Sequence, residues 1–383
     1  MKILHITPEA PGEFSGGKMA VRQTLFSLVE NGYKVDYVGP EIPDPHLKGL
    51  YAHTYELEPE KNVLIRIYDT LHGNTNQRYR AWLRLKLNIS VYDAVVMDFT
   101  KLDYVLRRIP GDKLIVRVLN VEKDYSDRQY EREKTLLHLL EKNLTGGREA
   151  KIVCQAAKLI PLTEKDRERL TELYGVPSNG MTVVPICLEK THLQAELAGA
   201  DESVRMILTG SLWYGPNYLG IKWFLENVYG KLDFPKLLTI AGFRPNQELI
   251  ELVKNFSDVR LVDSPQSMEP HFKQADLAIA PVFDGAGMKV KVAEALSWGL
   301  PVVGTSHAFE GYEIAHGVNS YRAESAEDFE TCIRDFYQKK PKERLEMKQR
   351  GYELFCSRYS QENSTRRFGE VVRNIAGNAG KKY

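Results

Sequence analysis

The sequence predicts an α/β protein built from two Rossmann-like, doubly wound parallel-sheet domains. Short apolar runs typical of buried strands alternate with longer amphipathic stretches typical of helices along most of the 383 residues. After a polar stretch around residues 190–203 the alternation starts again, and the length suits two domains of ordinary size. Because strands that alternate with helices form parallel sheets, ligands are expected at the carboxyl ends of the strands.

The first half of the chain contains six apolar runs that predict strands and three longer stretches that predict helices. The predicted strands are 3–7, 34–38, 94–97, 114–118, 159–162 and 182–184. The predicted helices are 18–30, 122–140 and 164–174. Thr163, followed three residues later by Asp166, is a typical helix cap with an acidic first turn.

The second half repeats this organisation with five predicted strands and helices between them. The strands are 205–209, 237–241, 259–262, 277–281 and 302–304. From residue 326 onward the pattern is helical throughout. The restart near residue 204 therefore predicts a second doubly wound domain.

Composition excludes several classes of protein. Hydrophobic residues at 43% and charged residues at 27% are typical of a soluble globular protein. No apolar run reaches about 18 residues, so no membrane-spanning helix is expected. The apolar part of the amino end is too short for a signal peptide. A net charge of +1 argues against a nucleic-acid-binding protein. The four cysteines lack C-x-x-C spacing, which favours reduced thiols over disulfides or a metal site.

One basic segment, QRYRAWLRLK at residues 77–86, has two interpretations. Its arginines and lysine alternate with aromatic and leucine side chains, as in amphipathic helices that lie on an anionic membrane surface. The alternative is a solvated helix whose apolar side packs against its own domain. Both interpretations stay open at this point.

The most informative segment for function is PVFDGAGMKVKVAEALSWGLPVVGT at residues 281–305. Gly285 and Gly287 interrupt the chain before a helix predicted over residues 288–298. A helix start of this kind suits a phosphate, because unpaired N–H groups and a partial positive charge face the anion.

Charged side chains in the same segment extend this pattern. Lys289 and Lys291 add full positive charges, and Glu294 lies where a carboxylate accepts hydrogen bonds from sugar hydroxyls. The alternative for all three is a solvated helix surface. The combination of glycines, lysines and glutamate predicts a nucleotide-diphosphate site.

Three other predicted strands end in glycine or polar residues. Gly16 and Gly17 come after the first strand, and Gly210 with Ser211 ends the first strand of the second half. Arg244 follows the next strand, as either a phosphate or base contact or an ordinary surface arginine. The loop at Gly16 lacks the G-x-G-x-x-G pattern, which argues against a dinucleotide-binding dehydrogenase.

Together these segments resemble GT-B fold glycosyltransferases, specifically the family-4-like retaining group. Residues 281–305 look like the donor-binding motif of this group, and GSLWYGPNYLGIKWFLENV at 210–228 looks like the opening of its second domain. Three further matches occur in family order. They are TIAGFRPN at 239–246, AFEGYEIAHGVNSYRAES at 308–325, and the first strand, glycine loop and helix within residues 1–40.

The resemblance implies a glycosyltransferase that moves a sugar from a nucleotide diphosphate, UDP above all, to a saccharide or lipid-linked glycan. It implies retention of anomeric configuration, a role in cell-surface polysaccharide or glycoconjugate synthesis, and no metal or other cofactor. It assigns catalysis to Lys289, Lys291 and Glu294. The donor-binding residues that it implies are Gly17, Gly210, Ser211, Arg244, Gly285, Gly287, Met288 and Glu294.

The resemblance also implies a domain organisation and a location. Residues 1–188 would form the acceptor-side domain and residues 189–361 the donor domain, facing each other across a cleft. The carboxyl-terminal helix, 362–383, would pack back on the first domain. A cytoplasmic protein in peripheral contact with the inner membrane surface is expected.

Two positions depart from the pattern of this group. Ala286 stands where a first glutamate precedes Glu294, and Leu119 stands where a histidine contacts the donor sugar. Asn120 and Glu122 remain as acceptor-side candidates beside that position. Two alternatives therefore stay open, a non-catalytic GT-B partner subunit and a sugar-nucleotide epimerase of similar fold.

Overall fold

The structure, a computed structural model, describes residues 1–12, 16–71, 76–191, 193, 203–285 and 287–379. The chain divides into two compact units. The first unit contains Met1–Pro185 together with the residues from Ser364 onward, and the second contains Ile186–Asn363. Each unit is built around one six-stranded parallel sheet, so the predicted pair of Rossmann-like domains is confirmed.

The sheet of the first unit has the order β3-β2-β1-β4-β5-β6, and every neighbouring pair is parallel. Its strands are β1 (Lys2–Ile6), β2 (Lys34–Gly39), β3 (His53–Glu56), β4 (Ala94–Asp98), β5 (Leu114–Val118) and β6 (Lys158–Pro161). The helices among them are α1 (Gly16–Glu30), α2 (Pro45–Gly49), α3 (Val63–Leu71), α4 (Glu122–Glu133), α5 (Leu136–Gln155) and α6 (Glu164–Tyr174).

Alternation along the strands separates two apolar cores, one on each face of this sheet. Val95 and Met97 of β4 face one core, and Ala94 and Val96 face the other. All five residues of β4 and of β5 are buried, because helices cover both faces of a parallel sheet. This explains why these strands are recognisable in the sequence as nearly continuous apolar runs.

Two sequence predictions for the first unit are wrong in detail. Residues 182–184 are not a strand. Thr182 and Val184 donate backbone hydrogen bonds to Leu159 and Pro161 of β6 (2.9 and 3.0 Å), but only an isolated bridge forms. The helix predicted at 122–140 is two helices, α4 and α5, because Lys134 adopts a left-handed conformation that ends the first.

The sheet of the second unit has the order β12-β11-β10-β7-β8-β9 and is again parallel throughout. Its strands are β7 (Val204–Ser211), β8 (Lys236–Phe243), β9 (Val259–Asp263), β10 (Leu277–Ala280), β11 (Val302–Gly304) and β12 (Tyr321–Arg322). The remaining helices are α7 (Gly215–Asn227), α8 (Gln247–Val253), α9 (Glu269–Lys273), α10 (Val290–Ser297), α11 (Ala326–Gln338), α12 (Pro341–Leu354) and α13 (Gln361–Ala379).

The two sheets share one topology, which defines where a ligand site is expected in each. The first strand of each unit lies beside its fourth, β1 beside β4 and β7 beside β10. Chain connections leave these central pairs in opposite directions, so a crevice opens at their carboxyl ends. The residues that follow β7 and β10 are therefore the first place to look for a site in the second unit.

From Ser364 onward, helix α13 belongs to the first unit, although it follows the second along the chain. Phe368, Val371 and Val372 of this helix are buried in the core that contains Ile3 and Ala94. Gln23 of α1 donates a hydrogen bond to Ser364 Oγ (2.8 Å). Both apolar packing and polar contacts therefore hold α13 against the first unit.

Candidate functional site

The candidate site lies at the carboxyl ends of β7 and β10 in the second unit. Strand β7 ends with Gly210 and Ser211, and β10 is followed by the loop 281–289 and then by α10. Gly285 and Gly287 have φ angles of 114° and 68°, in the region where a side chain strains the backbone. The two glycines therefore shape the loop that the sequence analysis singled out.

Lys289 and Met288 occupy this loop differently from the prediction. The helix begins at Val290, so Lys289 is its cap residue and Met288 lies outside it. The Lys289 ammonium donates to the carbonyl oxygens of Gly287 (2.6 Å) and Gly285 (3.3 Å). The Met288 side chain is buried, with its sulfur 3.4 Å from the backbone nitrogen of Ile186. Both side chains thus support the loop in this structure.

Lys291 lies in the first turn of α10 and reaches the end of β7. Its ammonium donates to Asn217 Oδ1 (2.8 Å), and Asn217 Nδ2 donates to the carbonyl oxygen of Ser211 (3.1 Å). Gly210 has a φ of 145°, and a Cβ added there would lie 3.4 Å from Lys291 Nζ. A side chain at Gly210 would therefore crowd the lysine. We call Gly210, Ser211, Asn217 and Lys291 the lysine cluster.

Asn217 is the member of this cluster whose role sequence reasoning missed. Its position after Pro216 is typical of a helix start, and α7 begins at Gly215. The contact with Lys291 joins residues 74 positions apart. The local sequence pattern does not predict such a long-range contact. The only indication in the sequence was that the preceding strand ends here, where polar groups are expected.

Burial shifts the pKa values of the two charged residues on α10 in opposite directions. It lowers the pKa of Lys291 to about 8, although the charge of Glu294 partly offsets the shift and that of Lys289 adds to it. Burial likewise raises the pKa of Glu294 to about 7, against the influence of Lys291. Both groups are half-buried, and Lys291 makes no ion pair within the described residues. A bound anion would supply the negatively charged partner that Lys291 lacks.

Glu294 is three residues after Lys291, so both side chains project from the same side of α10. Its carboxylate forms no hydrogen bond within the part of the chain that the structure describes, while Val292 and Leu296 of the same helix are buried. This arrangement can offer a hydrogen-bond acceptor to hydroxyl groups beside an anion held by Lys291. The pairing is the one that the sequence analysis predicted for a nucleotide-diphosphate sugar.

Arg244 stands apart from the lysine cluster. It is exposed and follows β8, and its guanidinium carbon lies 4.7 Å from the centroid of the Phe243 ring. Its backbone N–H donates to Ser264 Oγ (3.2 Å), and its φ of 52° is left-handed. The structure places Arg244 just beyond the carboxyl end of β8, the strand next to β7.

Gly17 belongs to the first unit, in the first turn of α1. A Cβ added there would lie 2.6 Å from Glu9 Oε2, so the carboxylate of Glu9 rests against this glycine. Glu9 follows β1, the first of the two central strands of that sheet. Gly17 therefore lines the strand-end region of the first unit and is not part of the lysine cluster.

A polar pocket of about 110 Å³ lies in the first unit, beyond the carboxyl ends of β4 and β5. Glu122, at the start of α4, is buried and pairs with Lys101 (3.2 Å). Burial raises the pKa of Glu122, while Lys101 opposes and Glu149 reinforces this shift. The lining residues are Thr100, Lys101, Glu122, Tyr125, Ser126, Gln129, Glu141, Thr145 and Arg148.

Residues beside this pocket have different roles, since some stabilise helix α4 and others line the pocket. Glu149 is fully buried and accepts hydrogen bonds from the backbone N–H groups of Glu122 and Lys123 (both 3.0 Å), so it caps α4. Asn120 interacts with the carboxylate of Glu122, and the side chain of Leu119 is buried. Of the two acceptor-side candidates, Glu122 is the one that lines the pocket.

The basic segment at 77–86 packs against its own unit. Residues Gln77–Arg84 form a 3₁₀ helix in which Tyr79 and Trp82 are fully buried. The interpretation in which the apolar side packs against its own domain therefore holds for the aromatic residues of this segment. Among the described residues no helix combines the length and apolar character needed to cross a bilayer.

Residues 203–339, which contain the whole lysine cluster and Glu294, match the family model described as "Glycosyl transferases group 1". The protein is a transferase enzyme. Its fold is similar to that of a sucrose-phosphate synthase from Thermosynechococcus elongatus, with a TM-score of 0.73 and 15% identity over 98% of this chain and 99% of that one. The GT-B fold predicted from the sequence is thereby confirmed.

Two further proteins are similar to this chain. The HepE protein of Anabaena, solved in complex with UDP-glucose, gives a TM-score of 0.65 with 12% identity over 98% of this chain and 100% of that one. A relative from Klebsiella pneumoniae is described as an uncharacterized 44.6 kDa protein in the cps region. It is 23% identical over 341 residues, which cover 82% of this chain and 86% of the relative.

Proposed function

We propose that this protein transfers a sugar from a nucleotide-diphosphate donor, a UDP-sugar in the first instance, to a saccharide or lipid-linked glycan. The observation that carries the proposal is the lysine cluster, where a half-buried ammonium with a lowered pKa lies at the end of β7 inside a glycosyltransferase group 1 match. The UDP-glucose bound by HepE supports a UDP-sugar as the donor.

In this proposal the diphosphate lies over Gly210 and is bound by Lys291. Because Gly210 has no side chain, there is space beside the Lys291 ammonium. The anion would stabilise the charged form of Lys291, which burial disfavours. Glu294 then accepts hydrogen bonds from hydroxyl groups of the donor sugar or ribose. Lys289 contributes by holding the Gly285–Gly287 loop in place.

The chemical step that we propose proceeds with retention at the anomeric carbon. The bond between this carbon and the donor phosphate oxygen breaks, and the acceptor oxygen bonds to the same face of the sugar. The leaving phosphate oxygen takes the acceptor proton, so no separate protein base is required. Lys291 stabilises the negative charge that develops on this oxygen, which is typically worth about 3 kcal/mol. The proposal includes no metal ion, because the lysine supplies the positive charge.

We assign the acceptor to the first unit, where the polar pocket beside Glu122 and Lys101 combines charges of both signs with a tyrosine ring. Such a mixture suits a hydroxyl-rich saccharide. The position of the Klebsiella relative in a cps region supports a role in the synthesis of a cell-surface glycan. We further infer that the reaction takes place in the cytoplasm, where nucleotide sugars are available.

A donor screen tests the proposal. The protein is incubated with UDP-, GDP- and dTDP-sugars, with and without candidate glycan acceptors, and released nucleotide and product are measured. Lys291→Ala is expected to lower acceptor-dependent nucleotide release by about 10²–10³-fold, while Lys254→Ala, at an exposed lysine of the same unit, leaves it unchanged. Proton NMR of the first product then reports the anomeric configuration.

Three outcomes would contradict the proposal. Conversion of the donor sugar without any acceptor would indicate an epimerase instead. A complete lack of nucleotide binding by calorimetry would indicate a non-catalytic subunit. Unchanged release by Lys291→Ala would place the diphosphate elsewhere.

A further inference from the structure

Helix α3 of the first unit exposes an apolar face to solvent. Val63, Leu64, Ile67, Tyr68 and Leu71 are between 52% and 77% exposed, and all five belong to this nine-residue helix. Soluble proteins expose single apolar residues often, but contiguous apolar patches mark interaction sites. We call these five residues the α3 face.

The orientation of α3 is the reverse of that in an ordinary surface helix. With 100° between successive residues, the α3 face spans about 140° of the helix circumference. Asp69 lies opposite the centre of this arc and is the only buried residue in the helix. The helix therefore turns its apolar side outward and its acidic residue inward.

Polar contacts hold α3 in this orientation. The Asp69 carboxylate accepts hydrogen bonds from Arg80 Nε (2.8 Å) and from the Tyr104 hydroxyl (3.0 Å), and Gln77 Nε2 donates to the carbonyl oxygen of Arg66 (3.1 Å). Breaking a buried ion pair leaves an uncompensated charge, so rotating the helix to bury its apolar side would be unfavourable. The exposure of the α3 face is thus built into the unit.

The segment that contains α3 is also strongly basic. Residues 63–92 carry five lysines or arginines and one aspartate, a net charge of +4, whereas the whole chain has +1. Arg66, Arg84 and Lys86 are exposed. Because Asp69 is paired with Arg80, no free acidic group within this segment offsets these three cations.

We propose that the α3 face docks this enzyme on an anionic lipid surface. An exposed apolar helix face flanked by lysine and arginine is the pattern of helices that lie in the headgroup region of a bilayer. The charge of the segment decides between occupants, since it complements an anionic surface and would repel the same segment of a second copy. This inference extends beyond sugar transfer, and it concerns a different element from the buried aromatic side of residues 77–84.

Vesicle flotation with the full-length protein tests this inference. Vesicles of phosphatidylcholine, with and without phosphatidylglycerol, are mixed with the wild type and with the double variant Leu64→Glu/Ile67→Glu. The wild type is expected to float with the phosphatidylglycerol vesicles only. The double variant should lose about tenfold or more in partitioning for each apolar side chain removed. Val318→Glu, an exposed apolar residue of the second unit, is the matched control and should float like the wild type.

A second variant tests the charge argument. Arg84→Gln/Lys86→Gln should weaken partitioning by about fivefold for each cation removed, and added salt should weaken the wild type in the same direction. Circular dichroism confirms that each variant is folded. A wild type that fails to float, or that floats equally on neutral vesicles, would overturn the proposal. The proposal would also be overturned if the Leu64→Glu/Ile67→Glu variant floated like the wild type. The same holds if the only effect of these substitutions were to change a dimer into a monomer in sedimentation.

Discussion

At the scale of single residues, the candidate site contains a lysine whose positive charge is disfavoured by burial. Lys291 is half-buried, its hydrogen bond goes to the neutral amide of Asn217, and burial lowers its pKa to about 8. The unfolded chain, where lysine has its ordinary pKa of 10.5, holds this proton more tightly. The charged lysine therefore opposes folding and favours binding of an anion.

Replacing Lys291 by methionine is expected to stabilise the free protein at pH 7 while removing its activity. The gain should be about 1–2 kcal/mol after allowance for partial exposure. The sign follows from proton linkage, because the unfolded state binds more protons between pH 8 and 10.5. The penalty on the wild type is complete below pH 8 and fades as the pH rises to 10.5, so the gain should shrink at pH 10.

Urea unfolding at pH 7 and pH 10 measures this effect. Lys254→Met, at an exposed position, is the matched control and should stay within about 0.5 kcal/mol of the wild type. A loss of stability in Lys291→Met at pH 7 would show that the Lys291–Asn217 contact outweighs the burial of the charge.

At the scale of elements, strand geometry determines where the lysine cluster sits. Gly210 of β7 pairs in register with Gly242 of β8, and a Cβ added at Gly242 would lie 1.9 Å from the carbonyl oxygen of Gly210. The two strands approach so closely that only glycine fits. The end of β7, with its contacts to Asn217 and Lys291, depends on this approach.

Gly242→Ala is therefore expected to move the end of β7. Since the clash is with backbone, the strands must separate, and we expect a loss of about 1–3 kcal/mol in stability together with weaker nucleotide binding. Thermal unfolding and calorimetry with UDP measure the two effects. Gly230→Ala is the control, because a Cβ there meets nothing within 4 Å. If Gly242→Ala were destabilised but bound UDP with unchanged affinity, the close approach of β7 and β8 would not matter for nucleotide binding.

At the scale of the whole molecule, the chain returns to its first unit after completing the second. Phe368, Val371 and Val372 of α13 are buried in one core of the first sheet, and the Arg117 guanidinium lies 5.5 Å from the centroid of the Phe368 ring. Arg117 is fully buried and also donates to Gln23 and Thr24 of α1. The first unit is thus incomplete until the last helix has been made.

Phe368→Ala should destabilise the first unit by about 3–5 kcal/mol, the usual cost of a large cavity in a core. Hydrogen exchange followed by mass spectrometry should show faster exchange in β1 and β4, which contribute Ile3 and Ala94 to the same core. Arg366→Ala, at a largely exposed position of the same helix, is the control. Equal exchange in the two variants would mean that α13 adds little to the first unit.

Much of the fold could be predicted because buried parallel strands leave a local signal. The runs at 94–97 and 114–118 are apolar on both faces, and Thr163 with Asp166 marks the start of α6, where the cap hydrogen bond is 3.0 Å. Strands β3 and β12 were not predicted, because one lies half-exposed at the sheet edge and the other has two residues. Such strands are recognisable only from their neighbours.

By itself, the sequence determined the alternation of strands and helices, the repetition of that alternation, and the segment in which Lys291 and Glu294 occur. Only the tertiary structure decided which lysine is available, since Lys289 turns back to its own loop and Lys291 reaches Asn217. It also decided that α3 turns its apolar face outward. Periodicity specifies that a helix has two different faces, but contacts between distant residues, such as Asp69 with Tyr104, decide which face is buried.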